Sequence, residues 1–226
     1  MLNSFHEINV ITDLSHSIHP KMMIFSAPWH RKVEFETLGE INSVGRRTTH
    51  LHFGTHVGTH VDAPSHFIEK GMPINEIALH KFIGPATCLD LSSTKPGTEV
   101  NVEDLKKALG DTEPSKRVIL YFNWSKFFGH PSFYSEQPYL GEGAADWLLQ
   151  YNPELIGYDL AMPDNPLNGK GSECDSPMHK KFLELGIPLL ESMKINYCLP
   201  KKFYLSALPL SLENLDGSPV RCVALL

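Results

Sequence analysis

Residues 56–66, His-Val-Gly-Thr-His-Val-Asp-Ala-Pro-Ser-His, hold three histidines and an aspartate in eleven positions, broken up by Gly58, Thr59 and Pro64. Imidazole nitrogen and carboxylate oxygen are the usual ligands of zinc and similar divalent ions. The stretch therefore predicts a metal site and, given an open coordination position, an enzyme. Its spacing restricts the backbone. On one straight strand His56 and His60 would stand roughly 13 Å apart, too far to share an ion. A helix would bring them to about 5–6 Å, but Gly58, two valines and two threonines within residues 55–61 disfavour one. What remains is a chain that bends at Gly58 and Thr59, where unusual backbone angles are tolerated. His60 and Asp62 then point to one side of an extended piece, and Pro64 fixes the exit with His66 nearby. The competing reading is a polar surface loop with one histidine satisfied in the core. Four ligand-type side chains at this density disfavour it.

The chain of 226 residues is long enough to bury a full core, and residues 1–226 are expected to form a single domain. Lys and Arg occur as short pairs (Arg46-Arg47, Lys180-Lys181, Lys201-Lys202) and the formal charge is −6, which excludes a basic stripe for nucleic acid. No apolar run approaches the ~20 residues that cross a bilayer, and the first residues lack the basic and apolar regions of a signal peptide. A soluble, cytoplasmic protein acting on a small molecule is expected, without nucleic-acid or membrane partners. Cys88, Cys174, Cys198 and Cys222 are scattered, so all four are read as reduced, with Cys88 and Cys222 buried.

Along the chain, residues 8–13 read as a strand. Residues 32–38 alternate as a half-solvated strand, and residues 48–52 form another in which His50 and His52 share a face. Those two histidines either line the site or belong to a strand face with polar partners. Residues 84–91 and 118–122 are apolar strands, the second suited to burial on both faces. Asn101 caps a helix with Asp104 at its third position and Gly110 at its end. Residues 124–139, rich in aromatics, Gly and Pro, read as a long loop whose aromatics pack on the body or contact a substrate. A helix over 142–151 leads into a strand over 155–159 and a loop at its C-terminal edge. Ser176 and Pro177 start a helix that ends at Gly186, with His179 on its inward face beside Phe182 and Leu183. That helix climbs roughly 9 Å beyond His179, and an extended 187–191 returns about 13 Å, so Glu191 can come back beside the imidazole. Two such ligands, added to the central motif, are what a two-metal site requires. Strands over 203–208 and 220–225, with a turn at 216–219, finish the chain.

The pattern His56-x-Gly-Thr-His60-x-Asp62-x-Pro-x-His66 resembles the signature of the metal-dependent cyclase family. The resemblance extends to Asp13-Leu-Ser, Gly157-Tyr-Asp159, His179 with Glu191, and Asp216-Gly-Ser-Pro-Val-Arg221. It implies a compact α/β domain with a mixed, barrel-like sheet and flanking helices, assembled as a homodimer or larger homo-oligomer. It implies that His56, His60 and Asp62 hold one metal ion, that Asp62 bridges to a second held by His179, and that Glu191 touches both. His66 would be the proton donor and acceptor. Two Zn2+ ions are the implied cofactors, with Mn2+ as the alternative. The implied reaction is hydrolysis of an amide C–N bond, an aryl formamide being the first substrate to try. The alternatives are hydrolysis of a cyclic amide or lactone, where one manganese could suffice, and a non-catalytic metal-binding or ligand-binding relative. Two stretches depart from the family pattern. An aromatic followed by Pro-Gly-Asp is replaced by Phe25-Ser-Ala-Pro-Trp29, which leaves Phe25, or else Trp29, as the substrate-binding aromatic. Leu160 and Met162 stand before Asp164, where formamidases have Thr and Ser.

Overall fold

The computed structural model describes residues 10–226, so Ile8 and Asn9 of the expected first strand lie outside the described residues. In chain order the described elements begin with β1 (Ile11–Asp13), β2 (Glu34–Gly39), α1 (Ile41–Val44), β3 (Thr48–His52), β4 (His60–Asp62), β5 (Ile83–Asp90) and β6 (Glu99–Val100). They continue with α2 (Val102–Leu109), β7 (Arg117–Tyr121), α3 (Ser132–Ser135), β8 (Tyr139–Leu140), α4 (Glu142–Leu149) and β9 (Leu155–Tyr158). The last are α5 (Pro177–Glu184), β10 (Leu189–Glu191), β11 (Lys202–Ser206), β12 (Gly217–Pro219) and β13 (Val223–Leu225). Nine strands form one curled, half-barrel sheet in the order β1-β13-β11-β5-β7-β9-β10-β4-β12. Strands β5, β7, β9 and β10 run parallel, and antiparallel strands flank them on both sides. The fold is the mixed α/β, barrel-like arrangement expected, and among the described residues β1 and β12 are its edge strands and do not pair to close a barrel.

The central strands are covered on both faces, which is why their sequences are continuously apolar. Val118, Leu120 and Phe122 pack with Leu105 and Leu109 of α2, Trp147 and Leu148 of α4, and Phe182 and Leu183 of α5. Ile119 and Tyr121 point the other way, into a second cluster with Phe82, Val61, Leu190 and Leu205. Each such aliphatic side chain, fully withdrawn from water, contributes roughly 1.5–3 kcal/mol. The α2 boundaries follow the expected chemistry. Asn101 accepts from the backbone N–H groups of Glu103 and Asp104, and the Asp104 carboxylate accepts from the N–H of Asn101. Gly110 ends the helix with a positive φ. All four cysteines are free, with Cys88 and Cys222 buried. Among the described residues no helix is long and apolar enough to cross a membrane.

Three expectations need correction. Residues 34–39 are not half-buried: among the described residues β2 pairs only with β3, and every residue of that ribbon except Gly39 is exposed. Alternation reports that a strand has an apolar side, not that this side meets the same chain's body. Residues 216–219 are more than a turn, because β12 pairs with β4 at Gly217↔Asp62 and Pro219↔His60. Only a residue without a side chain fits there, since a Cβ on Gly217 would lie 2.6 Å from the carbonyl oxygen of Val61. Residues 124–139 contain a 3-10 turn (Ser125–Phe127) and α3 as well as loop. Trp124 and Phe133 are buried in the core, so packing accounts for part of that segment's aromatic content.

Candidate metal centre

The bend expected at Gly58 is present. Gly58 has φ +61°, its carbonyl lies 2.9 Å from His60 Nδ1, and the chain becomes extended only at His60. The bend brings the imidazole centroids of His56 and His60 to 5.2 Å. Strand alternation turns Val61 into the core while His60 and Asp62 share the opposite side. Strand β10 delivers the next ligand-type group through its register, in which Glu191 stands directly opposite His60. Helix α5 then places His179 above the strand ends. The five side chains converge: His56 Nδ1 is 2.6 Å from Asp62 Oδ1, and His60 Nε2 is 3.3 Å from Asp62 Oδ1 and 3.5 Å from Glu191 Oε2. His179 Nε2 is 3.2 Å from Glu191 Oε1 and 3.6 Å from Asp62 Oδ2.

The second nitrogen of each imidazole is occupied elsewhere. His56 Nε2 meets Asp216 Oδ2 at 2.8 Å, His60 Nδ1 meets the Gly58 carbonyl, and His179 Nδ1 meets Asp164 Oδ2 at 2.5 Å. Metal-ligating histidines are held this way, with the outer N–H given to a carboxylate or carbonyl. Asp164 is fixed in turn by the backbone N–H groups of Met178 and His179. Glu191 Oε1 accepts from the Tyr158 hydroxyl at 2.7 Å, which orients the carboxylate. Asp62 and Glu191 are almost fully buried, and buried carboxylates need a cation or proton-bearing partners. In the metal-free protein the imidazoles take that role. Burial opposes the charge on His56, yet Asp62 and Asp216 outweigh it and raise its pKa to about 10. Burial likewise opposes charge on His179, and Asp164, Asp62 and Glu191 reverse that and raise it. The Asp62 carboxyl, pushed up by burial, is held well below its usual range by His56 and His66. Two donor triads, His60 with Asp62 and Glu191, and His56 with Asp62 and His66, could each hold an ion.

His66 stands at the mouth of the cluster. Its ring stacks on His56 at 3.8 Å between centroids, Nδ1 faces Asp216 Oδ2 at 3.5 Å, and Nε2 faces Asp62 Oδ2 at 4.0 Å. A cavity of about 320 Å³ opens in front of these groups. Both aromatics singled out in the sequence line it: Phe25 sits edge-on to Tyr134 at 5.7 Å, and Trp29 packs beneath Lys170 Nζ at 4.7 Å. Phe128 and Tyr134, from the 124–139 segment, also line it. His50 and His52 do not. They stay on the exposed β2-β3 ribbon with Glu36 as polar partner. Four contributors were not singled out as site residues from sequence: Asp164, Asp216, Tyr158 and His30. The first three act through contacts that spacing does not reveal, although each falls in or beside a stretch that carries the family resemblance. His30, two residues after Pro28, lies 6.5 Å from His56 between ring centroids and had no local signal.

A curled mixed sheet carrying a buried, carboxylate-bridged set of imidazoles at its strand ends is the build of a metal-dependent hydrolase. The Cyclase family model ("Putative cyclase") matches residues 12–165, which include the whole 56–66 motif. The chain belongs to the cyclase family. It is 35% identical over 184 residues to a kynurenine formamidase of Geobacillus thermodenitrificans, covering 81% of this chain and 79% of that protein. A kynurenine formamidase of Bacillus cytotoxicus is 31% identical over 83% of this chain and 82% of its own length. Among solved structures, isatin hydrolase A from Ralstonia solanacearum superposes with a TM-score of 0.85 at 22% identity, covering 95% of this chain and 91% of that one. An isatin hydrolase bound to the product analogue thioisatinate gives 0.84 at 24%, over 96% and 92%. The chain is accordingly a metal-dependent hydrolase.

Proposed function

We propose that this enzyme hydrolyses the C–N bond of an aryl formamide, with N-formylkynurenine as the substrate to try first. The observation that carries the reading is the orientation of His56, His60 and His179, each turning one nitrogen toward Asp62 or Glu191 while its other nitrogen is held. The donor set fits divalent ions: His56, His60 and Asp62 would hold one Zn2+ ion, Asp62 and His179 would hold a second, and Glu191 would serve both. Bound divalent ions would supply a water ionised near neutral pH and stabilise negative charge on the carbonyl oxygen.

The chain's own residues do the rest. Phe25, Trp29, Phe128 and Tyr134 line the cavity and give the aryl ring an apolar wall. Asp216 holds His66 by Nδ1 and leaves Nε2 facing the cluster. His66 takes the proton of the attacking water and delivers it to the leaving nitrogen as the C–N bond breaks, which yields formate and the free amine. The apolar residues exposed on the β2-β3 ribbon, Phe35 and Leu51 among them, support a homodimer or larger assembly, and four free cysteines support a reducing, cytoplasmic setting. Residues 1–226 act as one domain on this reading.

Formylkynurenine, isatin and simple lactones should be assayed with metal-replete wild type, chelator-treated wild type and His66→Ala. The formamide is expected to be cleaved only by metal-replete protein. The variant should lose about 10²–10⁴-fold in kcat, the usual span of acid–base catalysis, while keeping its metal. Hydrolysis of isatin or a lactone in place of the formamide would overturn the substrate assignment, and loss of metal from the variant would make His66 a ligand.

A further inference from the structure

The β2-β3 ribbon carries a second set of ligand-type side chains, distinct in every residue from the buried cluster. His50 and His52 alternate onto one face of β3, and the pairing register sets Glu36 opposite His50. Glu36 Oε2 lies 3.5 Å from His50 Nδ1 and 3.3 Å from His52 Nε2. The imidazole centroids are 4.3 Å apart, and one donor atom from each residue lies within 4.8 Å of the other two. Donors around a tetrahedral zinc, each about 2.0–2.1 Å from the ion, stand roughly 3.3 Å apart. Two sides of the triangle therefore already have the length an ion requires, and rotation of exposed rings closes the third.

We propose that Glu36, His50 and His52 form a separate surface site for a divalent ion of zinc type, with two imidazoles and one carboxylate as ligands and water completing the shell. The side chains are 46–57% exposed, so ions exchange freely and no desolvation of a buried charge is needed. Two imidazoles select borderline metals over Mg2+ or Ca2+, which prefer all-oxygen ligands. The structural consequence is local. An isolated two-stranded hairpin is marginal in water, and an ion that ligates Glu36 from β2 and both histidines from β3 ties the two strands together.

Zn2+ itself is the probe. Wild type, a His50→Ala/His52→Ala variant and Glu36→Gln are dialysed against the same buffered free Zn2+, and bound zinc is counted by elemental analysis. In parallel, histidine side-chain 1H–15N spectra of the Glu191→Gln variant, which weakens the buried cluster, are recorded with and without Zn2+. The double variant is expected to bind one equivalent less per chain than wild type, with circular dichroism unchanged. The His50 and His52 ring nitrogens are expected to shift on adding Zn2+ even in Glu191→Gln. Equal zinc in wild type and double variant, with unmoved ring resonances, would overturn the site. So would a loss of half an equivalent accompanied by a zinc-dependent rise in mass, since that places the ion between chains.

Discussion

Two clusters in this molecule use the same donor types and differ in everything around them. At the ends of β4 and β10, His56, His60 and His179 meet Asp62 and Glu191 under cover of the sheet and α5, and each imidazole is locked from behind by Asp216, Gly58 or Asp164. On the β2-β3 ribbon, His50, His52 and Glu36 stand in solvent, and among the described residues Glu36 is the one acidic partner of the two imidazoles. Ligand identity makes a metal site conceivable, whereas burial and the outer hydrogen bonds make one suited to catalysis. Pre-set orientation removes the entropy of arranging ligands, and exclusion of water strengthens every charge interaction inside the site.

The largest contrast should come from the carboxylate proposed to bridge the two ions. Asp62→Ala is expected to abolish turnover and lower bound metal by more than one equivalent per chain, read by elemental analysis; retained metal would remove Asp62 from its bridging place. Next in size is the outer support. Asp164→Asn leaves His179 in place but weakens its anchor, and a loss of about 10–100-fold in metal affinity or activity is expected. A full-activity variant would show that the 2.5 Å contact between Asp164 and His179 is dispensable.

A smaller effect follows from charge. His56 is held at about 10 by Asp62 and Asp216 against burial, so in metal-free protein it carries a proton throughout the neutral range. An ion that takes Nδ1 must displace that proton, so metal affinity rises with pH between 6 and 8. Calorimetric titrations in buffers of different ionisation enthalpy should report at least one proton released per chain, and buffer-independent heats would contradict it. The same raised value predicts that chelated protein draws stability from protonated His56 below about pH 6.5 and loses it as pH climbs toward 10. The smallest effect belongs to the ribbon. His50→Ala/His52→Ala should leave kcat/KM within about twofold, as expected of exposed positions, and a large loss would mean that the two clusters are coupled.

The contrast also explains what could be read from sequence. Residues 56–66 were legible because their constraint is local: one glycine bend and one strand decide where four side chains go. His179 and Glu191 were legible because a short helix and its return strand have fixed rises. Asp216 reaches His56 across 160 positions, and no spacing rule identifies it among the chain's carboxylates. The ribbon misled for a related reason, since its alternating pattern is that of a half-buried strand while none of the described residues covers its apolar side. Strand β12 was hidden because a glycine that permits close approach to Val61 looks, in sequence, like a turn glycine.

Anomalous diffraction from crystals grown with Zn2+ tests the central claim most directly. Two peaks are predicted inside the cluster, one contacting His56, His60 and Asp62 and the other Asp62 and His179, with Glu191 reaching both. Zinc only at His50 and His52, or a cluster that stays empty while His66 points away from it, would contradict the account.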